Sequence, residues 1–247
     1  MTIAMGRAKN LRDGQEYPYE IDILKTVDLD AIMALQYLIV RNNNGLETFI
    51  PMEKDDVRAD LEGDGVVVGL KIAGELKGYF MIHYIRQSDE VIRFGKDIPS
   101  IEPNSGNVCR FRHVGIHPDF RGSSLAKEMS RQVMKIAGES GFGIRYMCTV
   151  VAPTNYPSLN HQFTNRMVAV SLKKYHEEYF RLVMFQDFTS PIGVSEQGTM
   201  DIPGSNLEAI RAAFREGHVG YGLRRTDGET HILFGRALNR IFMDQGA

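Results

Sequence analysis

The sequence predicts a mixed α/β fold. Strand-like and helix-like stretches alternate along the 247 residues, which is the pattern of domains that pack helices on a sheet. The turn Ala73-Gly74-Glu75 separates two apolar runs of strand length and predicts a hairpin. Between residues 114 and 126 an apolar strand runs through a short turn directly into an amphipathic helix, which places a helix N-terminus at the end of a strand.

Apolar periodicity and turn residues predict the elements of the first half of the chain. Alternation of apolar and polar residues indicates strands, and apolar residues three and four apart indicate helices. In order, the predicted elements are a strand over 19–27, a helix that is capped by Asp28 or Asp30 and ends at residues 42–45, a short charged helix over 53–61, and a hairpin of strands 66–72 and 76–85. Residues 87–107 show no clear period and predict a long loop, a feature that is often functional in compact domains.

The same signals continue in the second half of the chain. In order, they predict a strand over 108–116, a helix from Leu125 that ends before Gly141 and Gly143, a strand over 144–151, a long helix over 159–180, a strand over 181–188, a helix over 206–216, and a hairpin of 219–225 and 230–238 turned at Asp227-Gly228. The core domain is expected to span 17–190. A flexible N-terminal arm over 1–16 would precede it, and a C-terminal extension over 191–247, a helix plus a hairpin, would pack on it.

Composition excludes several classes of protein. Hydrophobic residues make up 43% and charged residues 24%, as in ordinary globular proteins, and the net charge of −2 argues against a nucleic-acid partner. Cys109 and Cys148 have no CxxC or Cys/His spacing, so neither a metal site nor a disulfide framework is predicted. The beginning of the sequence lacks the apolar segment of a secretory signal, and no run reaches membrane-spanning length, so a cytoplasmic location is expected.

The stretch from residue 114 to residue 126 carries the clearest chemical signal. The first turn of a helix has unpaired N–H groups and the positive end of the helix dipole. Small residues at Gly122, Ser123, Ser124 and Ala126 let an anion approach that backbone closely. The sequence therefore predicts an anion site, most simply one for phosphate.

The run RGSSLA at residues 121–126, after an apolar strand, resembles the signature Arg/Gln-x-x-Gly-x-Gly/Ala of the GNAT superfamily of acyl-CoA-dependent acyltransferases. Ser124 stands where the family prefers glycine. The predicted order of elements over about residues 19–188 also matches that family. The resemblance implies a mixed, mostly antiparallel sheet with flanking helices, in which a splayed central strand pair opens a slot for the pantetheine arm of coenzyme A.

The resemblance also implies roles on the donor side, with acetyl-CoA or another acyl-CoA as co-substrate and no metal. Backbone groups of Val114 and Ile116 would hold the pantetheine arm, and the Val114 amide would polarise the thioester carbonyl. Asn155 and Ser158 resemble the family's Asn-x-x-Ser/Ala, whose Asn contacts the same arm. The cofactor-binding residues implied in this way are Val114, Ile116, Arg121, Gly122, Ser123, Ser124, Leu125, Ala126, Asn155 and Ser158.

The catalytic acid and base of the family are not at their usual positions. A tyrosine four residues beyond Ser158 is replaced by Gln162, so Tyr156 and His161 are the candidates to protonate the leaving thiolate. Arginines stand at the positions where several family members have the base.

Those arginines, Arg110 and Arg112, share one face of a regular strand. They would form either a fork for an acceptor carboxylate or structural ion pairs with carboxylates of the 87–107 loop. His113 is expected to point to the opposite face and to be packed there.

The predicted function is that of an N-acyltransferase, which moves an acetyl or longer acyl group from a coenzyme A thioester to an amine of a small, carboxylate-bearing acceptor by direct attack. Two alternatives stay open. One is a synthase of N-acyl amino acids or acyl-homoserine lactones that takes its acyl group from an acyl-carrier protein, docked on a stripe of Lys127, Arg131 and Lys135; that stripe is otherwise a solvated face. The other is a non-catalytic acyl-CoA sensor.

A serine hydrolase is a weaker rival. Ser124 and Lys127 fit Ser-x-x-Lys, but the Ser-Asp-Asn and Lys-Thr-Gly motifs that accompany it in penicillin-recognising enzymes are absent from the sequence. A homodimer is compatible with the sequence.

Overall fold

The computed structural model describes residues 2–43, 49–85, 107–175 and 179–238 of the chain. Apart from Asn107, the predicted loop over 87–107 lies outside the described residues. The chain forms two compact units, Met1–Tyr84 with Arg110–Gly143 and Ile85–Cys109 with Ile144–Ala247. This division differs from the boundaries expected at residues 16 and 190. No helix in the described ranges is long and apolar enough to cross a membrane.

The described residues of the first unit form five strands of sheet and three α-helices. Its elements are β1 (Thr2–Lys9), β2 (Glu16–Ile23), α1 (Leu29–Asn42), α2 (Lys54–Ala59), β3 (Gly65–Ile72), β4 (Glu75–Ile85, up to Tyr84), β5 (Val108–Ile116, from Arg110) and α3 (Leu125–Glu139). The strand order is β1-β2-β3-β4-β5, and the pairs β1/β2, β2/β3 and β3/β4 are antiparallel.

Strand β1 corrects the expectation of a flexible arm over residues 1–16. It pairs antiparallel with β2 from Lys9↔Glu16 to Thr2↔Asp22. The pattern was missed because small residues hold this strand: Ala8 is buried, and Gly6 lies against the ring of Tyr19, where a Cβ would come within 2.5 Å of the ring. Backbone pairing and close approach, rather than a large apolar face, fix the strand.

Helices flank the sheet of the first unit on both faces. From α1, Ile32, Leu35 and Ile39 are buried in one cluster with Tyr79 of β4. The neighbouring Gly78 points to the other face, where it meets Met129 of α3. The apolar positions predicted for α3 are confirmed as buried at Leu125, Met129, Val133 and Ala137.

Over its described residues, the second unit contains six strands of sheet and two α-helices. Its elements are β6 (Tyr146–Val151), α4 (Tyr156–Thr164), β7 (Val168–Tyr175), β8 (Tyr179–Asp187), β9 (Val194–Pro203), α5 (Leu207–Arg215), β10 (His218–Thr226) and β11 (Glu229–Ala237). The order is β6-β8-β7-β10-β11-β9, and each neighbouring pair is antiparallel. The predicted α/β fold with a mostly antiparallel sheet and flanking helices is confirmed.

The long helix predicted over 159–180 is wrong. Helix α4 ends at Thr164, and strand β7 begins at Val168. Arg166 takes a left-handed conformation with φ 63°, which a continuing helix does not allow. Beyond it, the β-branched Val168 and Val170 favour a strand, and Val168 pairs with Phe185 of β8.

Both predicted hairpins are confirmed. Ala73 and Gly74 have φ 51° and 81°, and Asp227 and Gly228 have φ 52° and 85°. Two successive residues with positive φ form the turn whose twist matches that of paired strands. The C-terminal hairpin joins the sheet of the second unit through Gly220↔Ala169, and β9 is an additional strand that the sequence did not predict.

Candidate functional site

The loop between β5 and α3 has the geometry that the sequence predicts for an anion site. After a short 3-10 turn, Pro118–Phe120, the backbone of Gly122 has φ 76° and that of Ser124 has φ 57°; helix α3 then begins at Leu125. The first intrahelical bond runs from the N–H of Glu128 to the carbonyl of Ser124, 3.1 Å. At the beginning of the helix, the amides that precede this bond are directed towards the loop. An anion binds most favourably there.

Side chains of the first unit hold this loop in place. The guanidinium of Arg121 donates to the carbonyl of Ile116 (3.3 Å) and to Oδ1 of Asn43 (3.1 Å), and burial lowers its pKa. Arg121 is therefore bound to the end of β5 and to the end of α1. Its contribution in this structure is to fix the loop.

The β1–β2 hairpin supports the same loop. The amide of Leu11 donates to the carbonyl of Asp119, 2.6 Å, and Oγ of Ser123 donates to the carbonyl of Lys9, 3.4 Å. Residues 2–23 thus contribute to the geometry of the loop, a role that the sequence did not indicate.

Ser124 stores strain at the position where GNAT sequences prefer glycine. A left-handed conformation costs a residue with a Cβ roughly 1–2 kcal/mol, whereas glycine adopts it freely. Glycine loses more backbone entropy on folding than serine does. This loss offsets roughly 0.5–1 kcal/mol of the stability that glycine would gain by relieving the strain.

We expect Ser124→Gly to raise the free energy of unfolding by about 0.5–1 kcal/mol, measured by urea denaturation of the ligand-free protein. The matched control is Ser123→Gly, because Ser123 does not have a positive φ. That variant should be slightly less stable than the wild type. A loss of stability in Ser124→Gly as large as in the control would contradict the assigned strain.

In strand β5, the side chains of Arg112 and His113 do not point to opposite faces of the sheet. Nη1 of Arg112 lies 3.1 Å from Nδ1 of His83, and Nδ1 of His113 lies 2.7 Å from the hydroxyl of Tyr79. Tyr79 and His83 are four residues apart on β4 and share a face. Successive residues of β5 therefore reach the same face, as in a β-bulge. The prediction that His113 points away from Arg112 is wrong.

The bulge sets the direction of the residues that follow it. Gly115 packs against Tyr79 and Ile39, so it shares the α1 face with His113. Val114 and Ile116, both partly buried, point to the α3 face by alternation. Their backbone groups precede the loop directly, where the resemblance places the pantetheine arm.

His113 is a packed, neutral histidine. Its Nε2 donates to the carbonyl of Ile50, 2.9 Å, so its Nδ1 accepts from the hydroxyl of Tyr79. The ring of Phe49 packs beside it, with the two ring centroids 4.5 Å apart. Burial lowers the pKa of His113 to about 4.

Within the described part of the chain, Arg112 forms ion pairs with two carboxylates. Its Nη2 lies 2.8 Å from Asp56 and its Nη1 lies 3.0 Å from Asp60, whose side chain is fully buried. The carboxylates belong to α2 and the turn after it, not to the 87–107 loop. This favours the structural interpretation of Arg112 over the acceptor fork. Phe111 packs against Phe80 on the opposite face of the sheet. Because side chains alternate along a strand, its neighbour Arg110 lies on the same face as Arg112.

The predicted site residues of the second unit lie at the start of α4 and within it, and each contacts another group of the protein. Oδ1 of Asn155 accepts from the amide of Ser158, 3.2 Å, and caps the helix. The hydroxyl of Tyr156 accepts from the amide of Gly204, 3.2 Å, and His161 contacts Asn165 through its Nε2, 3.1 Å. Their roles toward a ligand remain predictions.

Two further surface features of the first unit are the basic stripe on α3 and a groove beside α1. In the stripe on α3, Arg131 pairs with Glu128 of its own helix at 2.7 Å, as on a solvated face. A groove of about 370 Å³ lies on the first unit between α1 and the β3–β4 turn, and Leu35, Leu76 and His117 contribute to its lining. It contains none of the predicted site residues.

The structure brings together two residues that the sequence did not single out, Asp60 and His83. Nδ1 of His83 lies 2.7 Å from Oδ1 of Asp60, beside Arg112. They are 23 residues apart and belong to no motif. The available signal was His83 itself, a basic residue within the apolar and aromatic run 79–85. Among the described residues, no group of three or more His, Cys, Asp or Glu side chains could hold a metal ion.

Comparison with known proteins gives one family and one fold. The profile of the Acetyltransferase (GNAT) family matches residues 33–161, just over half of the chain. Similar solved structures include an N-acetyltransferase from Staphylococcus aureus Mu50, with a TM-score of 0.51 and 14% identity over 68% of this chain and 98% of that one. A GNAT-family acetyltransferase from Streptococcus pneumoniae gives 0.51 and 11% identity, over 68% and 98%.

A third structure, from Salmonella typhimurium and solved with its cofactor acetyl-CoA, gives a TM-score of 0.51 and 14% identity, over 70% of this chain and 97% of that one. At these identities the likeness concerns the fold. A search of curated protein sequences returned no match.

Proposed function

Because the chain belongs to the GNAT family of acetyltransferases, we propose that it transfers an acetyl or longer acyl group from a coenzyme A thioester to the amine of a small acceptor. Family membership makes it an acyl-CoA-dependent N-acyltransferase; the acyl group and the acceptor are the proposal. The observation that carries it is the loop over residues 121–126, which places a glycine with positive φ at the start of a 15-residue helix directly after β5.

The loop fits the diphosphate of coenzyme A. Apart from Gly122 itself and its two chain neighbours, no heavy atom of the described residues lies within 4 Å of where a Cβ of Gly122 would stand, so an anion has room there. Amides of residues 122–126 would donate to it, and the helix dipole would favour its charge. Backbone groups of Val114 and Ile116 would bind the pantetheine arm along β5.

On the reaction side, the thioester supplies the activated acyl group. The amide of Val114 would stabilise the negative charge that develops on the carbonyl oxygen when the amine attacks. Tyr156 and His161 are the proposed donors of a proton to the leaving thiolate. For Tyr156, the contact with Gly204 supports this role, because a hydroxyl that accepts from an amide keeps its own proton to donate.

The finer proposal is an acceptor that carries a carboxylate. Arg110, which lies on the same face of β5 as Arg112, is the proposed partner of that carboxylate. A charge-assisted bond to a guanidinium contributes about 1.5–3 kcal/mol, or roughly a tenfold to hundredfold preference.

The test is a thiol-release assay with acetyl-CoA and a panel of amino acids, alkylamines and polyamines, preceded by mass spectrometry for acyl-CoA that co-purifies. We expect amino acids to exceed uncharged amines in kcat/KM by roughly tenfold to hundredfold, and Arg110→Lys to remove most of that difference. Acetyl-CoA affinity, measured by calorimetry, should not change in this variant. If a polyamine were the best acceptor, the proposal of a carboxylate-bearing acceptor would be refuted. If the wild-type protein neither bound acetyl-CoA nor released thiol, the proposed acyl transfer would be refuted.

A further inference from the structure

Helix α1 carries few charges for a helix that has one side at the protein surface. Its residues include two charged ones, Asp30 in the first turn and Arg41 in the last. The side that packs on the sheet is apolar, as its burial requires, and includes Ile32 and Ile39. A surface helix normally has charged and polar residues on its other side, and a helix that is apolar all round is normally covered. The outer side of α1 therefore calls for an explanation.

Apolar residues occupy this outer side and remain exposed. Ala31, Ala34 and Leu38 follow each other at helical spacing; the two alanines are exposed and Leu38 is partly buried. Tyr37 beside them is 55% exposed, and Val27, four residues before Ala31, is 88% exposed. We call these five residues the α1 patch. The groove next to α1 continues the patch, because it is lined by Ala31, Ala34 and Leu38. Exposed apolar surface of this kind marks an interaction site.

The two charges of α1 make the patch complementary to a second copy of itself. In a pair of chains with two-fold symmetry, a residue that faces a second residue of the other copy is faced by it in turn. Asp30 and Arg41 are eleven residues apart, which is about three helical turns, so they lie on the same side of α1. Two antiparallel copies of α1 would place Asp30 of each copy beside Arg41 of the other.

The surroundings of Asp30 leave it accessible for such a pairing. Its carboxylate contacts Nζ of Lys54 at 2.7 Å, yet 86% of the Asp30 side chain is exposed. A carboxylate has two oxygens and accepts several hydrogen bonds, so a guanidinium can bind beside the lysine. Arg41 is also exposed.

We propose that the chain forms a homodimer in which the α1 patches of two copies pack against each other, with the two helices antiparallel. Ala34 and Tyr37 lie at the centre, because the midpoint between Asp30 and Arg41 falls between them. The short side chain of Ala34 allows the helix axes to approach to roughly 8–10 Å. The proposal does not depend on the proposed function, because the patch contains none of the residues assigned to the donor or the acceptor.

The size of the patch indicates how tight this dimer is. Helix α1 has 14 residues, so it is about 21 Å long at a rise of 1.5 Å per residue. One helix face of this length covers less than the roughly 800 Å² per partner of a standard interface. We therefore expect a dimer that dissociates in the micromolar range rather than an obligate one.

The first test is analytical ultracentrifugation of the full chain from about 1 to 300 µM. The average mass of the wild type should rise from that of one chain toward that of two. Ala34→Glu should raise the dimer Kd at least about a hundredfold, because it buries a carboxylate without a partner at the centre of the interface. The matched control is Met5→Glu on β1, which also replaces an exposed apolar residue, 71% exposed. It should leave the Kd within about threefold of the wild type.

Charge reversal is the second test, and it is specific for an antiparallel pair of α1 helices. Asp30→Arg or Arg41→Asp alone places like charges opposite each other twice in each dimer, so each should raise the dimer Kd about tenfold. The double variant Asp30→Arg/Arg41→Asp has opposite charges in both places again. Its Kd should return to within about threefold of the wild type.

Each of the contrary outcomes has a definite meaning. A wild-type chain that remains monomeric up to about 300 µM overturns the proposal and leaves the patch to a different molecule. A dimer that Met5→Glu weakens as much as Ala34→Glu does not form through α1. Single charge variants that the double variant fails to rescue would exclude the antiparallel arrangement. Circular dichroism checks that every variant compared is folded.

Discussion

Replacing Gly122 by valine is expected to weaken acetyl-CoA binding at least tenfold. Gly122 has φ 76°, a conformation that costs a β-branched residue more than roughly 1–2 kcal/mol, so the loop will shift. The new side chain also fills the space in which the diphosphate would approach the helix amides. Each charge-assisted bond that is lost contributes about 1.5–3 kcal/mol, and 1.4 kcal/mol is a tenfold change in affinity. Calorimetry with acetyl-CoA measures the effect.

Gly138→Val is the control for the Gly122 variant. Gly138 is exposed on α3 of the same unit, and among the described residues no heavy atom lies within 4 Å of where its Cβ would stand. This substitution should leave the Kd for acetyl-CoA unchanged. If the Gly122 variant is folded and binds acetyl-CoA as tightly as the control, the loop is not the diphosphate site.

Acidification should destabilise the protein through His113. The pKa of His113 is about 4 in the folded protein, against about 6.5 for an unperturbed histidine. Between these values the unfolded chain binds more protons, so the free energy of unfolding rises with pH. The contribution is complete above pH 6.5 and is lost as the pH falls toward 4. One pKa unit corresponds to about 1.4 kcal/mol, so the loss reaches up to about 3 kcal/mol.

Urea denaturation of the wild type and of His113→Gln at pH 7.5, 6, 5 and 4 measures this loss. The glutamine variant has no ionisable group at this position, although it should be less stable at pH 7.5 because it disturbs the contacts with Tyr79 and Ile50. Carboxylates titrate in both proteins, so the difference between the two curves isolates His113. Parallel curves over the whole range would show that His113 is protonated at no cost.

The sequence was sufficient to predict turns and helix ends whose conformation depends on the residues within them. Gly74 and Gly228 identified hairpin turns, and the run at residues 121–126 identified a helix N-terminus, because turn conformation depends on the residues in the turn. The long helix over 159–180 failed at Arg166, where a residue with an ordinary side chain takes the conformation that glycine usually signals. Apolar periodicity alone does not separate a helix end from a strand start.

The candidate site was only half predictable for a related reason. Most residues proposed for the donor side belong to one continuous segment, 114–126, and a sequence motif could therefore suggest them. The pairing of Asp60, His83 and Arg112 joins a turn and two strands, and only the tertiary structure brings them together. The bulge at His113 also escaped prediction, since a strict alternation of faces assumes that every strand residue pairs in register.

Strand β1 also determines where the sheet of the first unit stops growing. An edge strand offers unpaired N–H and C=O groups to any neighbouring chain, which is a route to aggregation. Charged Arg7 and Lys9 on β1, and the register shift between Thr2 and Ala4, discourage such pairing. A chain that began at β2 would present Glu16–Ile23 as an open template instead. Strand β1 thus covers the edge of β2 that would otherwise be open to pairing, in addition to the contacts of Lys9 and Leu11 with the loop that follows β5.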